Sequence, residues 1–276
     1  MEIKAAVQAY RSHIAEHHRR IFEVFVNFIA TAEGEPGDWE DESIEEVRIN
    51  SLAALFGEEI KKYITVPGDV LTRYDELVPI FGLDGTGMAT SQSLFDDEYI
   101  HERDSYFSLL EQALKKKCLE EVRETITVPE EFRILAEYVF QLTGPGPEDY
   151  KTHQAMFWTG TTTSAEAIDA IVKTPDEENF SFNRDWECAV FWEPGEGWRY
   201  AFYVVYCRRI PQPGTEPEPW AWRYVVSSMY EKLTVFDTIP EFLEMYCRYG
   251  EAEIPDVSEL DADDILTGMW VNYGFI

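Results

Sequence analysis

His13 and His17 stand four residues apart, the spacing that puts two imidazoles on one helix face, where they could hold a metal ion or exchange a proton. His18 is adjacent. No third ligand falls at a recognisable spacing, so an exposed polar helix face is the expected setting. Asp261, Asp263 and Asp264 echo the start of a calcium loop, but the central glycine and closing glutamate of that pattern are missing. A solvated acidic segment is expected there. Gly82, Gly85 and Gly87 could bring backbone N–H groups to a phosphate. The stretch lacks the Lys-Ser/Thr of a P-loop, and helical patterns surround it where a dinucleotide site needs a βαβ unit. Gly160-Thr-Thr-Thr-Ser164 could also meet an anion and reads as polar loop.

Nucleophilic chemistry finds less support. There is no G-x-S-x-G elbow, and no cysteine has a basic partner near it in sequence. His153 alone makes no triad. With 53 acids, close carboxylate pairs arise by chance and single out no acid–base couple. The sequence therefore points to no catalytic residue, no cofactor and no metal. Aromatics remain. Trp186, Trp192, Trp198, Trp220 and Trp222 crowd into one region with Tyr200, Phe202, Tyr203, Tyr206 and Tyr224. Most belong to core and sheet packing. Trp198 and Trp220, in expected loops, are candidate anchors for a protein partner, with Glu193, Glu196, Glu216 and Glu218 beside them.

The elements that must position these residues follow from hydrophobic period. Ile3, Val7, Tyr10, Ile14, Ile21, Val24, Phe25 and Phe28 recur at three- and four-residue steps, predicting a helix over 2–32. A polar loop follows, then Ser43-Ile-Glu-Glu46, a capping box opening a helix to about Tyr63. A short helix is expected over 70–80 and a loop over 82–93. From Asp104 onward, Phe107, Leu110, Leu114, Cys118 and Val122 share a helical face. Thr127-Val-Pro-Glu130 then reads as an N-cap hydroxyl, a first-turn proline and an N3 glutamate. Its helix buries Phe132, Leu135, Ala136, Val139 and Leu142 and stops at Gly144-Pro145-Gly146. The earlier Ile64-Thr-Val-Pro67 reuses this start signal without implying a domain repeat.

Strand patterns take over beyond that point. Met156–Trp158 is a short candidate, and Cys188–Trp192 with Tyr200–Cys207 predict a hairpin turning at Glu193-Pro-Gly-Glu-Gly197. Tyr200–Cys207 is apolar on both faces, as a covered central strand should be. Trp222–Ser227 adds a strand, and Thr238-Ile-Pro-Glu241 opens a helix with Phe242, Leu243, Tyr246 and Cys247 inward, ending at Gly250. Residues 251–264 carry seven acids and no base, and the aromatic tail through Phe275 should pack on the body or on a partner.

The 276 residues suffice for a full core, and 45% hydrophobic content excludes a disordered chain. The net charge of −30 is spread evenly, with 26 acids to 13 bases before Thr125 and 27 to 10 from there on. Such a field repels nucleic-acid phosphates and anionic membranes and steers toward basic protein surfaces. Cys118, Cys188, Cys207 and Cys247 are scattered through apolar stretches without a C-x-x-C pair, which fits a reducing compartment. With no signal-like N-terminus and no long apolar run, a cytoplasmic location is expected, and the sequon Asn179-Phe-Ser181 reads as chance.

The order of helix, V-P-E-E-F helix start, glycine break, antiparallel strands and F-D-T-I-P-E-F-L helix resembles the SUKH superfamily, which includes bacterial immunity proteins and fungal cell-wall assembly regulators. The matching positions are Pro129, Glu130 and Phe132, then Gly144, then Trp158 or Trp186, then Phe236, Phe242 and Leu243. The resemblance covers roughly residues 104–250. Thr143 stands where an asparagine is common, about 40 residues separate helix and hairpin, and the first hundred residues have no counterpart. It implies an α+β domain, an antiparallel sheet flanked by helices, that binds proteins and is not an enzyme. The expected organisation is a helical region at 1–100, this domain at 101–250 and an acidic then aromatic tail at 251–276. A carboxylate-dependent hydrolase and a structural assembly subunit are the alternatives.

Overall fold

The computed structural model describes residues 2–33, 42–86, 94, 96–139, 141–144, 155–156, 164–174, 185–197, 200–211, 214–228, 233–249, 251 and 253–269. Expectations for the loop before Glu42, for Gly87 to Ser93, for the Pro145-Gly146 stop and His153, for Trp158 and for Gly160 to Thr163 fall outside them. So do those for Asn179 to Ser181, Trp198, Gly250 and the tail from Trp270. The fold is α+β: helices together with a five-stranded antiparallel sheet among the described residues. Two compact units divide it. One comprises residues 1–9, 90–143 and 151–246, the other 10–89, 144–150 and 247–276.

The second unit is helical. Helix α1 (Ile3–Thr31) supplies Ile21, Phe22, Phe25 and Ile29 to its core, where they meet Leu52 and Phe56 of α2 (Ile44–Phe56). The capping box forms as expected: Ser43 Oγ accepts from Glu46 N, and Glu46 reaches back to the Ser43 N–H at 2.8 Å. A 3-10 turn over Glu58–Lys62 carries the chain on, so α2 is shorter than the pattern suggested because Gly57, at φ +86, leaves the helical region. The helix expected over 70–80 is two, α3 (Asp69–Thr72) and α4 (Tyr74–Phe81), breaking at Arg73.

The other unit holds the sheet. Helix α5 (Asp97–Lys117) precedes α6 (Glu130–Leu135), and a two-residue ladder pairs β1 (Gln141–Leu142) with β2 (Ala155–Met156). Helix α7 (Ala165–Ile171), which the period of the sequence did not reveal, starts where Ser164 Oγ accepts from Ala167 N and leads into β3 (Val172–Lys173). Then come β4 (Trp186–Gly197), β5 (Tyr200–Arg209), β6 (Ala221–Ser228) and β7 (Thr234–Phe236), in sheet order β3-β4-β5-β6-β7. β5 is central, as its apolar faces require. Glu193 to Gly197 is not the hairpin turn. It extends β4 through a register shift between Trp192 and Gly195, where Pro194 is accommodated because a bulge releases its residue from the ladder.

Side chains alternate across β5. Phe202 and Val204, with Trp192 and Tyr224 in register, face α6 and α8 (Ile239–Tyr246): Phe132 meets Trp192 edge-on at 5.3 Å and Phe202 meets Tyr246 at 5.1 Å. The opposite face gathers Phe191, Val205, Cys207 and Val225. Helix α8 opens as read, Thr238 Oγ1 accepting from Glu241 N at 3.3 Å. Helix α6 does not. Pro129 is its N-cap and no side chain caps it, so the Thr127 hydroxyl has no capping role; the Thr127 carbonyl instead accepts from the Trp222 indole at 3.0 Å. The last helix among the described residues is α9 (Ala262–Leu266), whose N-cap is Asp261, accepting from Asp263 N and Asp264 N. That gives the acidic triplet a helix-capping task. Ile265 of α9 is fully buried in the core of the second unit.

Candidate functional site

The histidines of α1 are not an exposed polar face. Ile14 and Ile21 are seven residues apart, and positions 17 and 18 fall between them on the same buried stripe. His17 is 7% exposed and His18 fully buried. His18 Nδ1 lies 2.7 Å from the Leu83 carbonyl, so that nitrogen carries a proton. One carboxylate oxygen of Glu251 lies 2.9 Å from His17 Nδ1 and 3.2 Å from His13 Nε2. That oxygen occupies the place between the two rings, and among the described residues no three His, Cys, Asp or Glu side chains form a metal-holding group.

The glycine stretch packs against the same helix. Asp84, nearly buried, pairs with Arg11 at 2.6 Å and accepts from Thr86 N and Oγ1. Tyr10 donates to the Gly85 carbonyl at 3.0 Å. Gly85 has φ +76, and a Cβ there would stand 2.5 Å from Ile14 Cδ1. The Leu83 N–H donates to the Val78 carbonyl of α4, those of Gly85 and Thr86 bond within the turn, and Asp84 places a negative charge at its centre. The N–H groups of Gly82, Leu83, Gly85 and Thr86 are thus already committed, and the Asp84 charge disfavours a phosphate there.

The partner-binding candidates divide between two ends of the sheet. Glu193 and Glu196 lie on β4 beside the start of β5, Glu196 in register with Ala201; the Glu196 side chain lies outside the described set. Glu216, Glu218 and Trp220 precede β6 and adjoin the end of β5, Glu218 accepting from Arg209 N at 2.7 Å. Eight residues of strand separate Ala201 from Arg209, about 26 Å. Trp198 falls outside the described residues, and Trp220 lies at the other end.

There the indole is held by three groups. Its N–H donates to Glu121 at 3.0 Å, the Arg208 guanidinium stacks 4.2 Å from its ring centre, and Tyr206 lies nearly parallel beneath at 6.0 Å. Arg208 in turn pairs with Glu187 at 2.7 Å and Glu121 at 3.4 Å. The Glu187 hydrogen bond, with the two carboxylate charges behind it, raises the Arg208 pKa above its usual value. Burial raises that of the Tyr206 hydroxyl. Trp220 remains half-buried, Glu121 is 54% exposed, and Glu216 is exposed with no ion pair or hydrogen bond among the described residues. No family model, curated protein or solved structure matches this chain.

Chemically, it is a platform. One aromatic ring is held by a cation and a strand tyrosine, and carboxylates at 121, 187, 216 and 218 outnumber Arg208, Arg209 and Arg223 by one, Arg223 pairing with Glu218 at 3.6 Å. Sequence reading found Trp220, Glu216 and Glu218 and missed Glu121, Glu187 and Arg208. The alternation of β5 carried a signal for Arg208, which shares a strand face with Tyr206. Glu121 is brought in from 99 residues away, and nothing local could announce it.

Proposed function

We propose that this chain is a non-enzymatic binding protein that engages a basic protein surface through the platform around Trp220. The observation that carries the reading is the fixing of Trp220 by Glu121, Arg208 and Tyr206 at the end of the sheet. An aromatic already held in one geometry loses little side-chain entropy on binding, which is the property of residues that dominate interface energetics. The surrounding carboxylate excess and the net charge of −30 set the sign of the partner. The resemblance of residues 104–250 to SUKH domains, and through them to immunity and regulatory proteins, supports the same assignment. A cytoplasmic setting agrees with it, and no described helix is long and apolar enough to cross a membrane.

The experiment compares capture of partners from the native host by the wild-type chain, by Trp220→Ala and by the double variant Glu121→Lys/Glu216→Lys, at low and high salt. The reading expects a specific partner that both variants lose and that salt displaces. Equal capture by all three proteins, or turnover of a small substrate that depends on one carboxylate, would remove it. Far-ultraviolet dichroism of each variant separates lost binding from lost folding.

A further inference from the structure

Cys188 and Cys207 face each other across the β4–β5 ladder. They are direct register partners in the antiparallel pair, so their side chains leave the sheet on the same face, and both are free thiols. Directly opposed residues in such a ladder have Cα atoms about 4.5 or about 5.5 Å apart, according to the type of pair. Both separations fall within the span of about 4.4–6.8 Å that a disulfide bridges. The ladder shifts register immediately after Cys188, where Ala189 is the extra residue. Neighbouring backbone there can take up a change of twist. Cys118 and Cys247 lie outside the described strands: the first caps α5 and the second follows α8.

We propose that Cys188 and Cys207 form a redox-modification site that closes to an intramolecular cross-strand disulfide under a peroxide-class oxidant. Cys188, partly exposed, is the attacking sulfur; Cys207, fully buried, is the resolving one. The Cys188 thiolate attacks one oxygen of hydrogen peroxide, the O–O bond breaks, and hydroxide leaves to become water, giving a sulfenic acid. The Cys207 sulfur then displaces the sulfenic oxygen, which departs as a second water with the Cys207 proton. Two thiols and one peroxide thus give one disulfide and two waters. Burial pushes the Cys188 thiol up to about 12 and raises Cys207 too, with the adjacent Cys188 adding to it. The reaction is accordingly slow at neutral pH, a mark made under sustained oxidation and not a rapid sensor.

Trypsin places the four cysteines in four different peptides, with Cys188 in residues 185–199 and Cys207 in residues 200–208. The full chain is reduced, desalted and exposed to hydrogen peroxide, and free thiols are counted after denaturation in an alkylating reagent. The count falls from four to two, and the two peptides appear linked, about 2 Da lighter than their sum. Dimedone traps the sulfenic acid at Cys188 in Cys207→Ala, whereas Cys207 stays reduced in Cys188→Ser. The oxidised chain unfolds at higher denaturant concentration than the reduced one. A bond to Cys118 or Cys247, a bond between chains, or Cys188 passing to sulfinic acid with Cys207 still free overturns the proposal. A bridge that lowers the unfolding midpoint overturns the claim that the ladder accommodates it. The mapping of the unmutated chain decides the matter even if a variant fails to fold.

Discussion

Asp84 shows how one side chain can fix a turn. Its carboxylate is 4% exposed and divides its two oxygens between Arg11 on one side and Thr86 on the other. Replacing it with alanine leaves the Arg11 cation and the Thr86 N–H without their acceptor, so Asp84→Ala should lower stability by about 2–3 kcal/mol in denaturant titration. Gly85 next to it has a steric reason to be glycine. Its positive φ disfavours any Cβ, and that Cβ would press on Ile14 and the Tyr10 hydroxyl, both buried. Gly85→Ala should therefore cost about 2–4 kcal/mol, combining left-handed backbone strain with overpacking. If the two substitutions prove neutral, the turn does not bear on α1 as described. Their spacing in the sequence was visible, and so was the missing lysine of a phosphate loop. What lay hidden was Arg11, seventy-three residues away. The buried histidines were within reach. Continuing the Ile14-to-Ile21 stripe through positions 17 and 18 puts them inside, but histidine's polar character weighed against following the period.

At the scale of elements, two similar start signals have different fates. Thr238-Ile-Pro-Glu241 caps α8 through its hydroxyl, while Thr127-Val-Pro-Glu130 leaves Thr127 two residues too early to cap α6. Thr238→Ala should cost about 1 kcal/mol and Thr127→Ala less than about 0.5 kcal/mol. Matching losses at the two sites would mean that the hydroxyl of Thr127 caps after all. The reason for the difference is tertiary. Glu131 accepts from Ile239 N at the start of α8, and the Trp222 indole takes the Thr127 carbonyl, so the segment before α6 answers to the sheet and not to its own helix. Long elements with a strong period, α1, β5 and β6, were legible because each buries a face that the sequence writes out in full. Helix α7 and strands β3 and β7 were not, since they span seven, two and three residues and are held by neighbours. Lys117, for example, donates to the carbonyls of Asp169 and Val172, anchoring α7 and β3 to the last turn of α5. The candidate site shows the same limit: its indole was legible and its clamp was not, because the clamp is assembled from β4, β5 and the segment after α5.

For the whole molecule, charge sets two opposing trends with pH. Several carboxylates hold their protons more weakly in the folded chain. Asp69 is lowered by the Thr65 N–H, Glu111 by the Lys115 hydrogen bond and Asp169 by that of Lys116. Each stabilises the fold above about pH 4, and that contribution disappears as pH falls through the depressed values. Against this stands self-repulsion from a net charge of −30, which eases as the acids take up protons. The groups are largely exposed and solvent screens their interactions, so near neutrality repulsion prevails. The unfolding midpoint should then rise as pH falls from 7.5 to about 5 and drop steeply below about 4. Added salt discriminates between the two terms. Screening weakens pairs and repulsion alike, but at pH 7.5 the unpaired excess is the larger quantity, so sodium chloride at about 0.5 M should raise the midpoint by a few degrees. A salt-induced drop at pH 7.5 would show that ion pairs govern stability. The acidic surface would then be an internal support of the fold, and its claim to steer a basic partner would lose its main physical ground.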